Sequence, residues 1–173
     1  MTGPAASEPL SPEQLAAVSD LWARAGRELL VRFTGTSMTP AIASGAEVRL
    51  RCGEACAPGE VAAVRVGGAV VVHRVVAAAG DGTWLLTRGD ARVLPDRPAA
   101  AADVIGRVTA VRAGDGFADI PPRADTRAQR TALAALRAAL RASPTGGTAL
   151  IAALVAARRA LLLAAASGRR LVG

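Results

Sequence analysis

Ser37 stands in FTGTSMTPAIASG (residues 33–45), where three hydroxyls surround a glycine and Met-x-Pro follows at once. A nucleophilic serine needs small neighbours, because the attacked carbonyl must approach the backbone closely. A turn needs the same residues for conformational reasons alone. A base separates the two cases. The chain has a single histidine, His73, within VVVHRVV, and no lysine anywhere. A Ser–Lys dyad is therefore excluded, and His73 is the one ordinary base for neutral pH. A carboxylate that would orient the imidazole follows in LLTRGDARVLPD, where Asp90 comes after Gly89 and Asp96 after Pro95. Each aspartate is also an ordinary turn residue. The residues alone leave the choice open.

Metal chemistry has less to work with. Cys52 and Cys56 stand four apart in RCGEAC, and His73 is the only further soft ligand. A structural zinc site takes about four nitrogen or sulfur ligands, so no metal is expected and no cofactor is called for. The two cysteines are expected as thiols beside a strand end, or as a local disulfide in an oxidising compartment.

The elements that would position these residues follow from pattern. Residues 1–11 are rich in Pro, Ser and Ala and are expected to be disordered. SPEQLAAVSDLWARAGRELL then opens with Ser11 as N-cap and Pro12 at the first position. Leu15, Val18, Trp22 and Leu29 fall on one face, which predicts an amphipathic helix over 12–30. From residue 31 to 122 the pattern changes to short Val-rich runs broken by Gly and Pro, with turn signals roughly every 8–12 residues. This predicts an antiparallel β body, with Gly67-Gly68 as a two-residue hairpin turn. After Pro121-Pro122 the pattern is helical again, and SPTGG splits 123–173 into a helical hairpin.

Charge divides the chain unevenly. Residues 1–122 hold 12 Arg against 13 acids, a balance of −1, whereas residues 123–173 hold 9 Arg against Asp125 alone, a balance of +8. The basic character belongs to the hairpin, so nucleic acid is not an expected partner of the β body. The last apolar stretch contains Arg158 and Arg159. At a bilayer centre they would cost roughly 5–7 kcal/mol, against about −2 to −4 for its Leu, Ile and Val residues. A span is disfavoured, and an anionic membrane surface is the better-matched partner for the hairpin. MTGPAASEPLSPEQL has no basic n-region and no apolar h-region, so no secretory signal is expected.

Taken in order, GTSMTPAI, PGEVAAVR, VVVHRVV, LLTRGDARVLPD and DVIGRV resemble the type I signal peptidase family over roughly residues 31–112. The resemblance is to the archaeal and endoplasmic-reticulum branch, which uses Ser and His. LexA-like repressors share the fold but use Lys. The resemblance implies a mainly β, signal peptidase/LexA-like body flanked by the N-terminal helix and the C-terminal hairpin. It implies Ser37 as nucleophile, His73 as base and Asp96 as third member, with Asp90 the second candidate for that place. It sets Thr36, Gly35, Met38 and Pro40 around the oxyanion and the substrate. The implied activity is that of a serine endopeptidase cleaving an extended leader or signal segment of a precursor.

Two departures stand out. The family often has Ser where this chain has Gly35, so an oxyanion-stabilising hydroxyl is missing. The family's membrane anchor is not matched either, because the N-terminal helix carries Glu13, Asp20, Arg24, Arg27 and Glu28. A cytoplasmic or peripherally membrane-associated enzyme is the expectation. The alternative is a catalytically weak or inactive relative that binds a peptide or a membrane surface.

Overall fold

The computed structural model describes residues 11–25, 27–66 and 69–142. Helix α1 (Pro12–Arg24) opens on a capping box: Gln14 N donates to Ser11 Oγ (3.2 Å), and Ser11 N donates to Gln14 Oε1 (2.8 Å). The helix ends six residues earlier than the sequence pattern predicts. Glu28–Arg32 is instead a strand, β1, pairing antiparallel with β2 (Glu47–Cys52). Leu29 opposite Leu50 and Val31 opposite Val48 explain the change. The apolar residues that extend the helical stripe are better buried by a neighbouring strand.

Strands β3 (Val61–Val66), β4 (Ala69–Ala78), β5 (Trp84–Arg88), β6 (Ala99–Ala100), β7 (Val104–Ala113) and β8 (Gly116–Asp119) complete the sheet. Its order is β1-β2-β7-β3-β4-β5-β6, with β8 on β7, and every pairing is antiparallel. The body is thus mainly antiparallel β, as expected. Val66 lies opposite Ala69, while the Gly67-Gly68 turn itself is outside the described residues.

Apolar residues cover β3 from both sides. Val61 and Ala63 join Phe33, Met38, Ile42, Val48, Leu50, Val72, Ile105 and Val108, while Ala62 and Val64 join Val75, Leu85 and Ala99. A strand covered on both faces reads as an unbroken apolar run, which is why VAAV shows no alternation. Half-buried Val18 and Trp22 of α1 pack on the first cluster. Helix α2 (Arg127–Ala142) places half-buried Leu133 against Val76, Ala77 and Leu86. The second arm of the expected hairpin and the expected disordered N-terminus up to residue 10 lie outside the described residues. No helix among the described residues is long and apolar enough to cross a membrane.

Candidate active site

The β1–β2 connection carries Ser37, and its base is closed like a hairpin. Phe33 N donates to Ala46 O and Gly45 N to Phe33 O, both at 2.8 Å. Within the loop, Thr39 N donates to Thr36 O (3.2 Å) and Ile42 N to Met38 O (3.0 Å), turning the chain tightly past Ser37. Met38 and Ile42 are both 0 % exposed and anchor this turn in the core. Burial of such side chains is worth about 1.5–3 kcal/mol each, enough to hold Ser37 at the rim while its neighbour points inward. Met38 is therefore an anchor and does not face a substrate, contrary to the expectation from its place in the motif.

His73 lies on β4 opposite Ala62 of β3. Its Nε2 is 2.9 Å from Ser37 Oγ, and its Nδ1 is 2.5 Å from Asp96 Oδ2. The carboxylate accepts, so the ring proton belongs on Nδ1, leaving Nε2 to accept from the serine hydroxyl. Thr87 of β5 completes the group. Its Oγ1 donates to Asp96 Oδ2 (3.0 Å), and its carbonyl accepts from Asp96 N (2.7 Å), fixing both ends of the aspartate. Thr87 is buried, as is His73, while the Asp96 side chain keeps 20 % exposure. Nothing in LLTRGD singles out Thr87 before the strands are paired.

The Peptidase S24-like family model matches residues 3–109, more than half of the chain and all four of these side chains. The chain belongs to the Peptidase S24-like family. No curated protein sequence matches it. In this S24-like chain the absence of lysine leaves the position beside the serine to His73.

Asp90 does not share the site. Arg74 Nε donates to its Oδ1 (2.9 Å) and Nη2 to its Oδ2 (2.8 Å), a two-pronged pair in which the Asp90 side chain is 1 % exposed. Arg74 also donates to Gly59 O (2.7 Å) and Pro121 O (3.2 Å). Strand alternation explains the split: His73 and Thr87 face one way, Arg74 and Arg88 the other. Arg88 correspondingly pairs with Asp125. Of the two aspartates left open by the sequence, Asp96 is the one at His73.

Gly89 backs the serine. A Cβ there would lie 2.7 Å from Ser37 O and 2.9 Å from Ser37 Cβ, so only glycine lets the 89–92 turn approach. Ala91 N uses that approach to donate to Ser37 O (2.8 Å).

Gly35 has φ +138°, a conformation that side chains rarely adopt. Its missing hydroxyl thus accompanies a backbone shape that a serine would strain. Gly35 N donates to Ser44 Oγ (3.2 Å). Thr36 and Pro40 are exposed beside Ser37, and among the described residues no acceptor takes the Ser37 amide. An amide left without an acceptor beside a serine hydroxyl is the kind of donor that can stabilise a developing oxyanion.

Among the described residues no three His, Cys, Asp or Glu side chains gather to hold a metal ion. Cys52 packs in the first apolar cluster and Cys56 in another, both as thiols. Burial, reinforced by the carboxylates of Glu60 and Glu54, pushes the Cys56 thiol up to about 12, so it stays protonated at neutral pH. A cleft of about 680 Å³ opens on the Arg74 side, lined by Gly59, Arg123, Asp125, Arg130 and Leu133. It does not include Ser37.

Proposed function

We propose that this S24-like protein is a serine endopeptidase of the Ser–His–Asp kind, related in chemistry to the archaeal and endoplasmic-reticulum signal peptidases. The observation that carries the proposal is the unbroken chain from Ser37 Oγ through His73 to Asp96. In the first step Ser37 Oγ attacks the scissile carbonyl carbon and its proton passes to His73 Nε2. Asp96 stabilises the resulting imidazolium through Nδ1–H, and Thr87 keeps Asp96 in place. The Ser37 amide donates to the oxyanion. Collapse breaks the C–N bond while His73 protonates the leaving amine. A water then gives a proton to Nε2 and attacks the acyl-serine; collapse breaks the acyl–Oγ bond, returns that proton from Nε2 to Ser37 Oγ and releases the carboxylic product.

The substrate class proposed is an extended leader or signal segment of a precursor, with small residues before the cut as the signal peptidase resemblance implies. An anionic membrane surface is the proposed second partner, drawn by the Arg-rich residues 123–173. The chemistry asks for no metal or cofactor. Incubating the purified chain with precursor peptides carrying Ala before the cut should give site-specific cleavage, abolished by Ser37→Ala. Equal cleavage by the variant would refute the proposal.

A further inference from the structure

Helix α2 opens on a second capping box, Thr126–Gln129, beyond the residues that the family model matches. Gln129 N donates to Thr126 Oγ1 (3.3 Å), and Thr126 N donates to Gln129 Oε1 (2.8 Å). Either Glu or Gln supplies that acceptor, and Glu serves a helix N-terminus well. Gln129 differs from its counterpart Gln14 in burial: Gln14 is exposed, whereas Gln129 is 3 % exposed. Its Nε2 donates to Arg92 O (2.7 Å) and to Asp90 O (3.4 Å). One side chain thus accepts for the helix and donates to the turn behind Ser37. An ionised Glu at this place would only accept, whereas the amide does both.

The surrounding segment is fastened on both sides of the serine. Arg123 Nη1 donates to Thr39 O (3.2 Å), two residues after Ser37. Arg74 holds Pro121 O, Arg88 pairs with Asp125, and Arg130 donates to Asp125 O (2.6 Å). Gln129 grips the turn whose Ala91 amide donates to Ser37 O and whose Gly89 lies against Ser37 Cβ.

We infer that Gln129 is a positioning residue for Ser37, acting through the 89–92 turn, so that the segment outside the matched body completes the site. The inference rests on the proposed serine peptidase chemistry for its consequence in rate, and on geometry alone for the contact. Gln129→Glu retains the helix cap and removes the donor. Gln129→Met keeps the length without charge and removes both, guarding against a fold lost to a buried carboxylate. Gln14→Glu is the matched control at the exposed box.

The full chain and these variants are compared for the rate of reaction with a fluorophosphonate and for hydrogen exchange of the Ala91 amide at pH 8. Both Gln129 variants, folded by circular dichroism, should react about tenfold more slowly, as expected for a slightly misplaced nucleophile, and should exchange Ala91 faster. Gln14→Glu should match the wild type in both. Wild-type values for either quantity in a folded Gln129 variant overturn the inference. A wild-type chain that does not react with the probe removes the nucleophile assignment, and Ala91 exchange then decides the clamp by itself.

Discussion

The two faces of the β4–β5 ribbon use similar residues for opposite ends. On one, His73 and Thr87 meet Asp96, a carboxylate that keeps partial exposure and ends a line of hydrogen bonds at Ser37. On the other, Arg74 and Arg88 meet Asp90 and Asp125, and the Arg74–Asp90 pair is closed off from water with its oxygens occupied. Asp90 and Asp96 are six residues apart, yet one is bound to a guanidinium and the other to an imidazole. Neighbours in sequence therefore have different partners, because each strand step turns the side chain to the other face. The first arrangement suits proton transfer, the second fixes a loop.

That contrast predicts separable effects. Asp96→Asn should lower kcat for peptide cleavage on the order of 10⁴-fold, as loss of the orienting carboxylate does in serine triads, with little change in melting temperature. Asp90→Ala strands the buried Arg74 guanidinium and should cost about 3–5 kcal/mol of stability by urea unfolding. If Asp90→Ala leaves the unfolding midpoint where it was while Asp96→Asn lowers it, the two faces have been misassigned. Gly89→Ala forces a Cβ into the Ser37 backbone and should slow cleavage roughly 100-fold through misplacement. A rate equal to wild type would mean that the turn does not set the serine. Thr87→Val removes one hydrogen bond to the Asp96 carboxylate, worth about 1.5–3 kcal/mol, and should appear as a comparable loss in kcat/KM.

A half-buried ion pair marks the lower end of the scale. The hydrogen bond from Arg107, reinforced by the charges of Arg107 and Arg51, holds the Glu54 carboxyl below its ordinary range against partial desolvation. A depressed carboxyl contributes stability at neutral pH that is lost as the pH falls through its folded-state value. The Glu54 side chain is 36 % exposed, so after solvent screening the contribution is about a few tenths of a kcal/mol. Glu54→Gln should flatten the acid limb of a stability–pH curve by that amount, far less than the change at Asp90.

Much of this was legible in the sequence. The Val-rich runs and glycine turns marked the strands, and a lone histidine in a lysine-free chain singled out His73 as the residue to expect beside Ser37. The choice between Asp90 and Asp96 was not legible from the residues alone, since it depends on which face a ten-residue connection returns to; only the family resemblance put Asp96 first. The 12–30 helix over-ran because Leu29 lies seven residues after Trp22 and extends the helical stripe, whereas pairing with Leu50 decides its state. Thr87 and Gln129 were invisible for a related reason. TRAQ announces a helix start, but the second use of its amide exists only once α2 meets the 90–92 turn. The φ of Gly35 likewise belongs to a closed loop and not to a residue type.

The central claim is that His73 activates Ser37. Its most direct test is covalent labelling of the full chain with a fluorophosphonate, followed by mass mapping of the modified peptide. The account predicts a single adduct on Ser37 in the wild type and its disappearance in His73→Ala. An adduct on another serine, or undiminished labelling of Ser37 without His73, would contradict it.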